Sequence, residues 1–162
     1  MHPNEALITK FYSAFGELDY AAMCDCYSDH AIFNDPVFGI LIGREVSAMW
    51  EMLCRNAKEF SLQFSDIELL DEEYATCKWT ATYLFSRTGR KVVNHIKAYM
   101  RIQEGRITEH TDHFDLWKWS RQAFGFTGIM LGWTRPFKNR IRISSKKSLD
   151  RFMNQELPGQ SP

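Results

Sequence analysis

The chain has 162 residues, 44% of them hydrophobic, and its 20 basic and 20 acidic residues balance to a net charge of zero. This length fits one domain with its own core, and the balanced charge argues against nucleic-acid binding by the whole surface. No stretch approaches the roughly 20 apolar residues of a membrane span. Residues 1–5 lack the basic and apolar segments of a signal peptide, so we expect a cytoplasmic protein.

The four cysteines form no Cys-x-x-Cys pair. We therefore expect reduced thiols in apolar positions rather than a zinc or redox site. The cysteines are Cys24, Cys26, Cys54 and Cys77.

Apolar residues at helical spacing predict three helices in the first third of the chain. The first helix spans residues 3–18, and Asp19 can cap a second, shorter helix. Gly43-Arg44-Glu45 opens the third helix. Two short extended segments, 31–36 and 38–42, lie between the second and third helices.

After Lys58 the hydrophobic period changes to two, which indicates strands. Four strands in series, joined by tight turns, predict an antiparallel meander, and helices before a sheet indicate an α+β fold. We divide the chain into a domain over 1–134 and a basic C-terminal extension over 135–162, whose last residues, 158–162, should fray. The four predicted strands are 60–65, 74–86, 92–102 and 107–117.

Four local motifs follow one another along the chain: Tyr27-Ser28-Asp29-His30-Ala31, the run from Phe33 to Gly39, Gly43-Arg44-Glu45, and the run from Glu104 to Asp112. Their order resembles the NTF2-like superfamily, in its SnoaL-like polyketide cyclase and ketosteroid isomerase branches. The resemblance covers residues 5–117. It implies a cone in which a curved antiparallel sheet wraps around three N-terminal helices and one deep pocket, followed here by a C-terminal helical extension.

The resemblance to ketosteroid isomerase implies that Asp35 is a general base, because it occupies the aspartate position of the Asp-Pro turn. That enzyme also needs two donors for the oxyanion, and their positions hold Phe11 and Ala98 here. Neither side chain can donate a hydrogen bond. We therefore expect a protein that is not a true ketosteroid isomerase.

The resemblance to the cyclases implies that Asp112 is the acid–base residue, in Glu109-His110-Thr111-Asp112. Alternation along a strand places His110, Asp112 and Phe114 on one face. On the preceding strand the more apolar set, from Asn94 to Met100, faces inward, and His95 faces outward. The predicted ligand-binding side chains are Phe11, Phe38, Trp50, Asn94, Ile96, Met100 and Phe114.

Asp35, His110 and Asp112 could together remove a proton next to a carbonyl group, with one group acting as base and another as proton donor. The apolar pocket would raise a carboxyl pKa toward neutral by desolvation. Two structural alternatives stay open: Asp35 forms only a turn, and His110 and Asp112 only hydrogen-bond each other. We expect no cofactor. We also expect no metal, because the stretch His110-Thr111-Asp112-His113, even together with His95, lacks an established ligand geometry.

Two functions follow from these observations. The first is a cyclase- or isomerase-like enzyme that acts on an apolar carbonyl compound; the second is non-catalytic binding of an apolar ligand, or a dimerisation module. We also expect a homodimer through the outer sheet face and no nucleic-acid partner, and we disfavour membrane contact by the basic tail. The outer face would expose Trp79, Tyr83 and Phe85 if Cys77 points outward, together with Val93 and Tyr99.

Overall fold

A computed structural model describes residues 1–155, and within them the chain forms six helices and one six-stranded sheet. The predicted frayed end, residues 158–162, lies outside this range. The helices are α1 (Pro3–Gly16), α2 (Tyr20–Cys24), α3 (Arg44–Asn56), α4 (Leu116–Phe124), α5 (Phe126–Leu131) and α6 (Arg135–Gln155). The strands are β1 (Tyr27–Asp35), β2 (Gly39–Ile42), β3 (Ser61–Leu69), β4 (Tyr74–Leu84), β5 (Lys91–Gln103) and β6 (Arg106–His113).

The sheet has the strand order β2-β1-β6-β5-β4-β3. Strands β3 to β6 form the predicted antiparallel meander, and β1 pairs with β2 in the same sense. The pair β1 and β6 is parallel, which the expectation of an antiparallel sheet did not include. Register shifts occur in three of the strand pairs, and such bulges bend a sheet. The predicted α+β fold with a curved sheet is therefore confirmed.

Capping by side chains explains where the helices begin. Glu5 and His2 form a capping box at the start of α1, and Asp19 accepts from the backbone N–H of Ala22 at α2. Asp115 accepts from two backbone N–H groups at the start of α4. This cap is the reason that β6 ends at His113 and does not continue to Trp117 as predicted.

The inner faces of β5 and β4 both carry buried side chains. On β5 the predicted inward set is buried and His95 is exposed, as expected. On β4, Cys77 and Trp79 are buried and Lys78 is exposed. The suggestion that Cys77, Trp79, Tyr83 and Phe85 face outward is therefore wrong, because the apolar set of an alternating strand faces the core.

Helix α6 packs against α3 and belongs to the walls of the molecule. Its Ile141 is buried in a small second core with residues of α4 and β5. Arg142 Nε donates to the backbone oxygen of Pro36 at 3.2 Å, and Arg87 donates to Ser144. The division at residue 134 stays a prediction, although α6 does begin at Arg135.

No helix within residues 1–155 has the length and apolar character needed to cross a membrane.

Candidate functional site

A cavity of about 320 Å³ lies between the inner face of the sheet, α3 and the C-terminal helices. The side chains of Asp35 and Asp112 both border it, as predicted. Most of the other lining side chains are apolar or aromatic, so a bound molecule would meet few polar groups. Five of the seven predicted ligand-binding residues line this cavity: Phe38, Trp50, Asn94, Ile96 and Phe114.

Phe11 and Met100, which were also predicted to bind a ligand, do not border the cavity. Both are buried in the core behind its wall. The Phe11 ring contacts Tyr27 edge to face, with ring centroids 5.5 Å apart. Met100 lies on the correct face of β5 but farther along the strand than Asn94 and Ile96. Strand alternation identifies the face that a residue occupies, but not its depth along that face.

A buried chain of hydrogen bonds ends at the Asp112 carboxylate. Trp50 Nε1 donates to the hydroxyl of Tyr27 at 3.1 Å, and this hydroxyl lies 2.6 Å from His110 Nδ1. His110 Nε2 lies 2.9 Å from Asp112 Oδ1. Trp79 Nε1 donates to the same oxygen at 3.2 Å. This chain of hydrogen bonds therefore connects α3, β1, β6 and β4.

One assignment of protons satisfies every member of this chain. An indole N–H can only donate, so the Tyr27 oxygen accepts from Trp50 and the Tyr27 hydroxyl donates to His110 Nδ1. His110 Nε2 then carries the proton and donates it to Asp112. The assignment gives a neutral imidazole beside a carboxylate, and it leaves no buried donor without an acceptor.

His110 lies beneath the cavity wall and not in the cavity, contrary to our expectation. Its side chain is fully buried between the rings of Phe33 and Trp50, at centroid distances of 5.2 and 6.1 Å. It is absent from the cavity lining, whereas Asp112 borders the cavity. His110 can therefore orient Asp112 but cannot touch a bound molecule.

The two oxygens of Asp112 have different surroundings. Oδ1 accepts hydrogen bonds from both His110 and Trp79. Oδ2 has no hydrogen-bond partner among residues 1–155. A carboxylate held on one oxygen presents the other in a fixed direction, which is the arrangement that a positioned general base requires.

Asp35 closes the turn after β1 and also borders the cavity. Its Oδ1 accepts from the backbone N–H groups of Val37 at 3.0 Å and Phe38 at 2.6 Å, so Asp35 stabilises this turn. Burial raises the pKa of Asp35 to about 7, against the two backbone hydrogen bonds, and the negative charge of Asp112 adds to the rise. Asp35 therefore exchanges protons near neutral pH.

Further polar side chains border the cavity, and among them those of Asn94 and Tyr83 can donate hydrogen bonds into it. The amide of Asn94 has no partner within the described part of the chain. The Tyr83 hydroxyl accepts from Trp119 Nε1 at 2.8 Å, and burial raises the pKa of Tyr83 to about 12, so it keeps its proton. Within residues 1–155 no three His, Cys, Asp or Glu side chains are grouped so that they could hold a metal ion.

The sequence interpretation missed Tyr27, Trp79 and Tyr83 as parts of the site. For Trp79 and Tyr83 the signal was present, because the alternation of β4 separates them from polar Lys78 and Thr80. No local signal marks Tyr27, since its partner His110 lies 83 positions away in the sequence.

Comparison with known proteins identifies the family and the fold. The profile of the SnoaL-like domain matches residues 8–110. No curated protein matches the chain. An NTF2-like protein of unknown function from Burkholderia pseudomallei is 17% identical with a TM-score of 0.65, and the match covers 76% of this chain and 98% of that one.

Two other solved structures of the same fold carry names of enzymes. A candidate polyketide cyclase from Pseudomonas putida is 23% identical over 76% of this chain and 98% of that chain, with a TM-score of 0.63. An LEH-like epoxide hydrolase from M. tuberculosis is 16% identical over 78% and 93%, with a TM-score of 0.63. At these identities the likeness shows the fold, and the predicted NTF2-like resemblance is confirmed.

Proposed function

Because the chain belongs to the SnoaL-like domain family, we propose that it binds an apolar carbonyl compound and moves a proton at the carbon next to the carbonyl group. One observation carries the proposal: the carboxyls of Asp35 and Asp112 border one largely apolar cavity, and two buried donors hold Asp112. The proposal includes no cofactor. The product would be that of a cyclase or an isomerase.

Asp112 is the base in this proposal. Its Oδ2 takes the proton from the substrate carbon, while His110 and Trp79 fix the direction of the carboxylate. His110 is a positioning residue, because it touches Asp112 and not the cavity. Loss of a positioned base typically lowers the rate by about 10²–10⁴-fold.

Asp35 is the proton donor. A group with a pKa of about 7 is partly protonated at neutral pH and can give its proton to the oxygen of the developing enolate. The proton removed from carbon stays on Asp112. When this proton returns to a different carbon of an unsaturated ketone, and the enol O–H proton returns to Asp35, the isomerisation is complete. In ring formation the enol carbon attacks a second carbonyl group. The new alkoxide then takes the proton from Asp112, and the enol O–H proton returns to Asp35 as the first carbonyl group re-forms.

The stabilisation of the oxyanion differs from that in ketosteroid isomerase. Phe11 and Ala98 are buried and apolar at the positions that resemble its donors. Asn94 and Tyr83 border the cavity and carry donors that can reach a bound oxygen. They supply, together with Asp35, the polar groups that an enolate needs.

Exchange of carbon-bound hydrogen tests the proposal without the natural substrate. The apolar ketones 1-indanone and 2-tetralone are incubated with the protein in D₂O, and deuterium next to the carbonyl is measured by NMR. We expect exchange faster than in buffer, and an unchanged rate for Asp29→Asn, which alters an exposed carboxylate. If the ketones bind but neither exchanges its hydrogen faster than in buffer, the result contradicts proton transfer.

A second candidate function is binding of an apolar ligand without catalysis. The apolar residues Phe11 and Ala98 favour it, because the two oxyanion donors of the related isomerase are missing. Quenching of tryptophan fluorescence measures ketone binding directly, since Trp50 and Trp79 line the cavity. Binding without exchange would support this function over catalysis.

We also propose a homodimer through the outer face of the sheet. Trp79, Tyr83 and Phe85 do not face outward and so do not support a dimer. Tyr74 and Tyr99 are exposed on the outer face and do support it. We expect light scattering at micromolar concentration to give the mass of a dimer, and a monomer would contradict the proposal. The cytoplasmic location stays a prediction from the sequence.

A further inference from the structure

Helix α5 and the turn after it present large apolar side chains to solvent. Phe126 is 76% exposed and Trp133 is 64% exposed, and the three apolar residues between them are 48–54% exposed. We call this set, Phe126, Ile129, Met130, Leu131 and Trp133, the α5 apolar surface. A cluster of this kind in a water-exposed helix indicates an interaction site.

The fold holds the α5 apolar surface outward. The inward side of α5 is Gly128, which is buried so closely against α4 that an added Cβ would overlap the Ser120 carbonyl group. Trp117 Nε1 donates to the backbone oxygen of Ile129 at 3.4 Å, and Trp133 Nε1 to that of Met130 at 3.1 Å. Because small Gly128 makes the contact with α4, the large apolar residues have no place in the core.

Positive charge flanks the α5 apolar surface on both sides along the chain. Residues 116–149 contain eight basic residues and no acidic residue, although the whole chain has a net charge of zero. None of the eight forms an ion pair within residues 1–155, and Arg121 lies over the ring of Trp117 at 4.3 Å. The eight are Lys118, Arg121, Arg135, Lys138, Arg140, Arg142, Lys146 and Lys147.

We propose that the α5 apolar surface docks on an anionic lipid bilayer. The aromatic and aliphatic side chains enter the boundary between headgroups and acyl chains, and the flanking bases contact the anionic headgroups. Tryptophan is favoured at this depth because its ring is amphipathic. The sequence alone disfavoured membrane contact by the basic tail, because most basic runs are solvated faces. The apolar part of the surface proposed here precedes that tail.

The charge and the apolar character of the α5 apolar surface favour a bilayer over two other candidate partners. A symmetric pair of this chain through α5 would place both sets of flanking bases against each other, which is repulsive. Nucleic acid would be attracted to the positive charge, but its phosphates would make few favourable contacts with Phe126, Met130 and Leu131. An anionic bilayer is negatively charged at its surface and apolar below its charges, so it matches both features.

Docking in this way would place the cavity beside the bilayer. Phe124, two residues before the α5 apolar surface, lines the cavity, and so do Ile141 and Ser144 of α6. An apolar ligand could then enter from the lipid. This consequence rests on the proposed function, but the docking itself does not, and vesicle binding without any ketone activity would still support it.

Flotation with vesicles tests the docking on the full chain. Vesicles of phosphatidylcholine are compared with vesicles that also contain phosphatidylserine. We expect the protein to float with the mixed vesicles, to stay behind with phosphatidylcholine alone, and to lose binding in high salt. Phe126→Ser/Trp133→Ser and Arg135→Gln/Lys138→Gln should each weaken binding roughly tenfold or more.

Two matched variants serve as controls. Ile40→Ser/Ile42→Ser removes equally exposed apolar residues from β2, and Lys10→Gln/Lys91→Gln removes exposed bases elsewhere; both should float like the parent chain. If the apolar variant does not fold, the basic variant decides. Absence of flotation with phosphatidylserine, equal flotation with phosphatidylcholine alone, or unchanged flotation of the variants overturns the proposal. Self-association that Phe126→Ser/Trp133→Ser abolishes also overturns it, in favour of a second copy.

Discussion

His110 Nε2 lies 2.9 Å from Asp112 Oδ1, and the two side chains meet on one face of β6 beneath the cavity. His110 is sealed in the core while Asp112 reaches the cavity. The two side chains therefore have different roles. The imidazole orients the carboxylate, and of the two only the carboxylate can contact a ligand. We therefore expect the residues around the pair to affect both stability and chemistry.

Tyr27→Phe should destabilise the protein although it removes one oxygen atom. The change leaves the indole N–H of Trp50 without an acceptor and His110 Nδ1 without a donor, and both are buried. We predict that the free energy of unfolding in urea falls by about 1–3 kcal/mol. Tyr74→Phe, at an exposed tyrosine, should change it little; equal losses in both variants would contradict the buried chain.

Trp79→Phe should lower the ketone exchange rate about tenfold, because it removes one of the two donors on Asp112 Oδ1. Trp117→Phe is the control, since Trp117 does not line the cavity and donates to the backbone oxygen of Ile129. Exchange followed by NMR should therefore separate the two variants. The same rate for both would mean that the Trp79 hydrogen bond does not support the base.

Asp35 should make the protein less stable as the pH rises. The folded chain keeps the Asp35 proton up to about pH 7, whereas an unfolded aspartate releases it near pH 3.9. The folded state therefore binds more protons between these values, and the free energy of unfolding falls across this window as the pH increases.

Asp35→Asn removes this titration and keeps an oxygen for the turn. We predict that it stabilises the protein at pH 8, by up to about 4 kcal/mol, and has little effect at pH 4. Urea unfolding at both pH values measures the difference, with Asp29→Asn as the exposed control. A gain that is the same at pH 4 and pH 8 would rule out the raised pKa of Asp35 as its cause.

Gly128→Ala should separate α5 from α4. The added Cβ would overlap the backbone carbonyl of Ser120, which cannot move without moving α4. We predict a loss of about 1–3 kcal/mol in thermal or urea unfolding, as for other overpacked sites. Gly16→Ala meets no atom within 4 Å and should be neutral or slightly stabilising; a neutral Gly128→Ala would contradict the close contact.

Local patterns predicted the parts of the fold that depend on neighbours in sequence. Helix α3, the meander from β3 to β6 and the inward face of β5 follow from hydrophobic period and turns. The shared cavity of Asp35 and Asp112 also followed, from the family resemblance and the pleat. The helix, the meander and the strand face need no knowledge of which distant segments meet, whereas the shared cavity does, and there the family resemblance supplied that knowledge.

The features that the sequence did not predict depend on long-range contacts. The parallel pairing of β1 with β6 brings Tyr27 toward His110, and no local pattern encodes it. The outward orientation of Trp79 was conditional on an outward Cys77, and the packing of β4 in the sheet turns both side chains inward. The depth of Phe11 and Met100 behind the cavity wall depends on how α1 and β5 pack.

Replacement of Asp112 by asparagine tests the central claim most directly. Asp112→Asn keeps the shape and the oxygen that faces His110 and Trp79, but removes the base. We predict that ketone exchange falls about 10²–10⁴-fold, while ketone binding and melting temperature stay near those of the parent chain. Asp35→Asn should lower exchange less. A folded, ligand-binding Asp112→Asn protein with unchanged exchange would contradict the account.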